Sequence, residues 1–272
     1  MNNKTLPPIF FFGHGAAIFT MDSGESNHQD ALRTGEKVRI NQTIQHVMVL
    51  SAHNLHPSLQ IGSSLHWETI HDHPSQNLYE FKYPAQGIPE IADMIAEHLK
   101  SKKFKVERSL LSGLDHGAWL ALALLFPKAD IKVTSVSLNT KLDPSWHWEL
   151  GKALGELRTQ GICLVASGSL THNLSYFREC FHRAQEKSTP PDWALTFNEV
   201  AIKAISPATE TQMKKSILGL FQHPLCPQNH PTTEHLMPFV VASGAASLGY
   251  ETMTPFAKGW QHGLATDSIL WV

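Results

Sequence analysis

Seventeen of the 272 residues are histidine, against 22 lysines and arginines together. Neutral imidazole is the commonest metal ligand and exchanges protons near neutral pH, so the placement of these residues decides whether they form a site. Three follow short apolar runs. His14 comes after Pro8 to Phe12, His53 after His46 to Leu50, and His172 a few residues after Gly161 to Ala166, in Ser169-Leu170-Thr171-His172-Asn173. Open α/β sheets gather ligands beyond the carboxyl ends of their strands, so this shared position favours a site over three unrelated core or turn histidines. Glycines beside His14 and near His172 leave room for sharp turns and a ligand. His235 lies in His230-Pro231-Thr232-Thr233-Glu234-His235, where Thr232 or Thr233 is expected to cap a helix and put His235 in its first turn. His116, in Gly113-Leu114-Asp115-His116-Gly117, opens an apolar helix, where an Asp/His N-cap is the plainer role. His28, His66, His98, His182 and His262 sit in polar or amphipathic contexts and read as solvated or locally hydrogen-bonded.

Several chemistries find no support. There is no H-E-x-x-H run and no Cys/His knuckle. Ser167-Gly168-Ser169-Leu170 is not a nucleophile elbow, Gly13-His14-Gly15 lacks the lysine and length of a phosphate loop, and no dinucleotide fingerprint follows a strand. A formal charge of -2 argues against a nucleic-acid partner. Apolar stretches such as Ala118 to Phe126 fall short of the roughly 18 residues of a membrane span. The N-terminus, with Pro7 and Pro8 ahead of its apolar run, reads as a poor signal peptide. Three scattered cysteines, Cys163, Cys180 and Cys226, point to a reducing compartment, hence the cytoplasm, and away from a thiolate cluster.

The elements that must position the histidines alternate. Pro8 to Phe12, His46 to Leu50, Ile131 to Leu138 and Gly161 to Ala166 read as buried strands, and Ser268 to Val272 as a last edge strand. Helical patterns span Pro89 to Lys100, Gly117 to Phe126, Trp146 to Arg158, Trp193 to Ile205 and Glu234 to Gly244. With no linker or internal repeat, the expectation is one domain over residues 1–272. Its class is α/β, a three-layer α/β/α sandwich around a mostly parallel or mixed central sheet.

An ordered set of motifs carries a resemblance: Phe12-Gly13-His14-Gly15, Leu50-Ser51-Ala52-His53, Thr69-Ile70-His71-Asp72, Leu78 to Ala85, Gly113 to Trp119, Ala166 to Leu174 and His230 to His235. Together they resemble the DOPA-type extradiol ring-opening dioxygenases, of the class III extradiol superfamily that includes protocatechuate 4,5-dioxygenase. No single motif is specific; their collinear order over almost the whole chain is. The resemblance implies His14, His53 and His235 as metal ligands, His172 as the acid/base and in some members a ligand, and His116 facing the substrate. It places His71 and Tyr83 in the segment lining the pocket. Three departures, Gly15-Ala16-Ala17, Asn54 in place of a tryptophan, and His73-Pro74-Ser75-Gln76-Asn77, fall near the pocket mouth and bear on the substrate.

The implied reaction takes a catechol-type aromatic substrate and O2 at one divalent metal. Fe(II) carries the dioxygenase chemistry, and Zn2+ can fill the same nitrogens without it. His172 would take the hydroxyl proton, and His172 or His116 would return one as the O–O bond breaks. Two rivals use the same residues: a zinc hydrolase or amidase with Asp115 or Glu234 as its base, and a binding protein without turnover. The sequence leaves open the particular catechol, the position of ring cleavage and the number of subunits.

Overall fold

A computed structural model of the chain describes residues 6–41, 44–109, 113–183, 189–206, 209–249 and 252–272; the first five residues, part of the signal-peptide argument, lie outside them. Eight strands form one sheet: β1 (Ile9–Gly13), β2 (His46–His56), β3 (Leu59–Gly62), β4 (Val106–Ser109), β5 (Lys132–Asn139), β6 (Ile162–Gly168), β7 (Met253–Ala257) and β8 (Ser268–Trp271). Their spatial order is β4-β3-β5-β2-β6-β1-β8-β7. The middle four, β5, β2, β6 and β1, run parallel. β8 is antiparallel to both β1 and β7, and β3 is parallel to β4 but antiparallel to β5. The sheet is therefore mixed around a parallel centre.

The central strands are apolar at nearly every position because both faces are covered. Successive side chains point to opposite faces, so Ile9 and Phe11, Met48 and Leu50, and Leu164 and Ala166 join one core, while Phe10 and Phe12, Val47 and Val49, and Cys163 and Val165 join the other. Helices Pro89–Ser101, Pro144–Glu156, Asp192–Ala204 and Met237–Ala246 cover the first face. Helices Ser26–Asn41 and His116–Leu125 cover the second. The three layers expected from the sequence are present. No described helix is long and apolar enough to cross a membrane, and the three cysteines are buried and unpaired.

Three local expectations are corrected. β8 is not an edge strand. β7 covers it, and β7 went unread because Pro255 breaks its pattern, a residue that an edge position tolerates. The helix expected from Glu234 begins at Met237, with Leu236 at its cap and no side-chain capping bond. The Thr232 hydroxyl donates to Glu234 Oε1 instead, so His235 sits in the turn ahead of the helix. β2 runs on to His56, so His53 lies within the strand rather than after it. Leu50 pairs with Val136 and Leu55 with Leu138, and the surplus residues between them bulge out of the ladder and carry His53 away from the sheet.

His46, at the start of β2, is buried, with Nε2 2.8 Å from the Thr134 hydroxyl. Burial pushes its pKa down to about 4. The native state thus refuses a proton that the unfolded chain accepts below about 6.5, so this stability is complete above pH 6.5 and is lost as pH falls toward 4. Between pH 7 and 5 the loss should be about 2 kcal/mol. Urea unfolding of the wild type and His46→Gln at both pH values checks it. The variant should be less pH-sensitive by that amount, and equal slopes would refute the assignment.

A histidine cluster as the candidate metal centre

The carboxyl ends of β1, β2 and β6 bring five histidines together. His14 follows β1 and His53 stands on the β2 bulge. His116 opens the 116–125 helix, His172 follows β6, and His235 precedes the 237–246 helix. Nε2 of His53 is 3.3 Å from Nε2 of His14 and 3.3 Å from Nε2 of His235. The His116 ring centroid is 4.0 Å from that of His53, and the His172 ring stacks on His235 at 3.4 Å and 9°. Backbone bonds hold the arrangement. His14 N–H donates to Gly168 O, Ser169 N–H to His235 O, and His172 N–H to Asn229 O. Two glycines allow the close approach: a Cβ on Gly168 would lie 2.4 Å from His235 O, and one on Gly117 2.5 Å from Ser51 Oγ and 3.1 Å from His53 Cδ2.

The outward nitrogens have partners. His235 Nδ1 donates to Glu234 Oε1 at 2.9 Å, and His116 Nδ1 to Asp72 Oδ1 at 2.9 Å. His14 Nδ1 lies 3.0 Å from Ser167 Oγ. The two carboxylate bonds orient the His235 and His116 rings and leave Nε2 as the free lone pair, the arrangement usual for histidines that bind metal. Burial keeps the rings of His14, His53, His172 and His235 neutral. It lowers the pKa of His14 and His235 strongly and, with the neighbouring imidazoles, brings His53 and His172 to about 3. Against the cost of its own burial, Asp72 is held ionised at about 2 by its hydrogen bonds and charge interaction with His116. Burial raises the Asp115 carboxyl, which accepts from Ser51 Oγ and caps the 116–125 helix through Ala118 N–H.

Neutral imidazoles whose lone pairs converge suit a cation. Two nitrogens at usual Zn–N lengths and tetrahedral angles are roughly 3.3 Å apart, the spacing of the His53 contacts here. One proton on His53 Nε2 could bridge to His14 or to His235 but not to both. Two groups of three offer ligand atoms within 4.8 Å of one another: His14, His53 and His116, and His172, Glu234 and His235.

His71 and Tyr83 fall differently. His71 lies one ring further out, 5.6 Å from His73, whose ring is 5.6 Å from that of His116; His71, His73, Tyr79 and Trp119 form one aromatic wall. Tyr83 is not brought to the cluster. Its hydroxyl donates to Phe126 O, just past the end of the helix whose first residue is His116, about 15 Å along that helix. Sequence reasoning missed the supporting partners Ser51, Asp72 and Ser167, and gave Glu234 no orienting role. Only the adjacency of Asp72 to His71 and of Glu234 to His235 hinted at two of them.

Fold and site together define an α/β protein with a histidine-walled centre able to hold one cation at the strand ends. Over residues 8–255 the chain matches the catalytic LigB subunit of aromatic ring-opening dioxygenase, and it belongs to that family. It is 30% identical over 266 residues to the 4,5-DOPA dioxygenase extradiol of Escherichia coli K12, covering 96% of this chain and 93% of that protein. It is 32% identical over 256 residues to the protein of the same name from Beta vulgaris, covering 90% and 89%. The crystal structure of an uncharacterized protein from Escherichia coli K12 superposes with a TM-score of 0.80 at 28% identity, over 97% of this chain and 99% of that one.

Gly168→Ala should push its new Cβ against His235 O, costing about 1–3 kcal/mol and shifting His235. Denaturant unfolding and the histidine ring NMR signals report both effects. A variant with wild-type stability and unchanged His235 signals would refute the close-approach argument.

Proposed function

We propose that the protein is an extradiol dioxygenase opening the ring of a catechol-type aromatic substrate with O2. One divalent metal, Fe(II), would be held by His14, His53 and His235 within a single domain spanning residues 1–272. The observation that carries the ligand set is the approach of three Nε2 atoms, His53 to His14 and His53 to His235, both at 3.3 Å. His14 and His235 also have their Nδ1 atoms bonded outward. Fe(II) in such a site supplies a Lewis-acidic, redox-active centre where a chelating catechol and O2 meet. Zn2+ would bind the same nitrogens without that redox capacity.

The remaining histidines move protons. His172 is neutral and stacked on His235, so it begins as a base that accepts the proton of a substrate hydroxyl. His116 faces the centre with Nδ1–H fixed on Asp72, so Nε2 is the atom that takes or gives a proton, and the ionised Asp72 stabilises the imidazolium formed. Tyr79 and His71, backed by the buried rings of His73 and Trp119, give the outer wall an aromatic surface suited to a flat ring. The hydrolase alternative loses its base. Glu234 is bonded to His235 and Thr232, and Asp115 to Ser51 and the helix N-terminus.

Anaerobic iron loading followed by a catechol screen, read as O2 uptake and a yellow ring-opened product, tests the activity. His14→Ala and His53→Ala should lose metal retention, whereas His172→Ala should keep the metal and lose turnover. Equal iron content in all three variants would refute the ligand set. Absence of product from the iron-loaded wild type with every catechol would refute the reaction.

A further inference from the structure

Ser167 is the last but one residue of β6, fully buried, and has no part in the chemistry described so far. Its hydroxyl oxygen is 2.7 Å from the carbonyl oxygen of Gly117 and 3.0 Å from His14 Nδ1. A hydroxyl has one proton, and a carbonyl can only accept. Were that proton directed at His14, two oxygen lone pairs would face each other at 2.7 Å inside the protein. The proton therefore lies on Gly117 O, and the Ser167 oxygen is left as an acceptor. A buried His14 Nδ1 beside an acceptor must itself carry the hydrogen.

We infer that Ser167 is a positioning residue that fixes His14 in its Nδ1–H tautomer, with the Nε2 lone pair directed at the metal centre, and ties that tautomer to the first turn of the 116–125 helix through Gly117 O. Glu234 orients His235 with a carboxylate; Ser167 does the same for His14 with a neutral group whose direction is set by the helix carbonyl. Gly117 is also the residue whose missing side chain admits Ser51 and His53, so one helical turn sets the spacing of two of the proposed ligands. The inference rests on His14 being a ligand only for its consequence in metal affinity; the tautomer is a property of the metal-free protein.

Long-range 15N–1H NMR of the metal-free wild type should show His14 protonated at Nδ1 and bare at Nε2. In Ser167→Ala the two nitrogens should average or invert. Zn2+ affinity, measured by chelator competition, should fall about 10–100-fold, while Ser167→Thr, which keeps the hydroxyl, should stay close to wild type. If Ser167→Ala does not fold, the wild-type spectrum and Ser167→Cys, whose weaker acceptor should give a smaller loss, still decide. An Nε2–H tautomer in the wild type would overturn the inference, as would wild-type Zn2+ affinity in both the alanine and the cysteine variants. Failure of the wild type to bind Zn2+ at all would instead sink the ligand set, and the catechol screen reads turnover separately from either.

Discussion

Lone pairs do not gather in a protein interior without something to receive them. His14, His53 and His235 are neutral and largely removed from water, with nitrogens at 3.3 Å that cannot all be satisfied by one another. A buried polar atom left unpaired costs about 1–3 kcal/mol, so several pointing at one volume make that volume a place for a cation. The neighbouring structure serves this requirement by holding the opposite side of the rings. Ser167, Glu234 and Asp72 accept from the outward nitrogens of His14, His235 and His116. Turning any of these rings over would face a hydrogen to the centre and bury an unpaired lone pair behind it.

The parallel centre of the sheet makes the convergence possible. β1, β2 and β6 end side by side, so His14 just past β1, His53 on the β2 bulge and His172 after β6 come together, and the turn ahead of the 237–246 helix adds His235, 182 positions from His53 in the chain. The bulge in β2 lifts His53 out of the ladder toward the other two. Loops have many conformations to lose, but here each short segment is pinned by backbone bonds: His14 to Gly168, Ser169 to His235, and His172 to Asn229. The side chain of Gln261 adds a clamp by accepting from Ala16 N–H immediately after the His14 turn. The histidines are thus carried on short connections tied by hydrogen bonds to the strands and loops beside them.

The central strands and the positions of the histidines were legible because both rest on strong signals. Strands covered on two faces must be apolar throughout, and a histidine directly after such a run has few other reasons to recur. The edge of the sheet was not legible. β3 and β4 are four residues each, β4 reads Val-Glu-Arg-Ser, and β7 contains a proline, so none has a pattern that distinguishes it from a loop. The supporting partners were hidden for another reason. Serine and aspartate are common everywhere, and their role depends on a direction in space that sequence order does not encode. Tyr83 stands apart from the cluster. A motif placed it with the pocket, but its hydroxyl required a buried acceptor and found Phe126 O in the second core. His71 lies nearer, one ring beyond the cluster.

Charge completes the physical picture. The three proposed ligands are neutral, so a divalent cation among them would keep its full double charge in a desolvated place. An isolated ion there is costly unless countercharges lie close by. Glu234 supplies one through the ring of His235, and Asp72 lies behind His116, facing the open side. The contact behind His14 is a hydroxyl and adds no charge. One anionic partner near the ligands leaves about one positive charge to be met by whatever enters, which favours a chelating group that binds as a monoanion over either a neutral ring or a second cation. A catechol that gives up a single proton on binding has that charge. His172, the base in the proposed function, is held neutral by its burial beside the cluster, as a group that is to receive that proton must be.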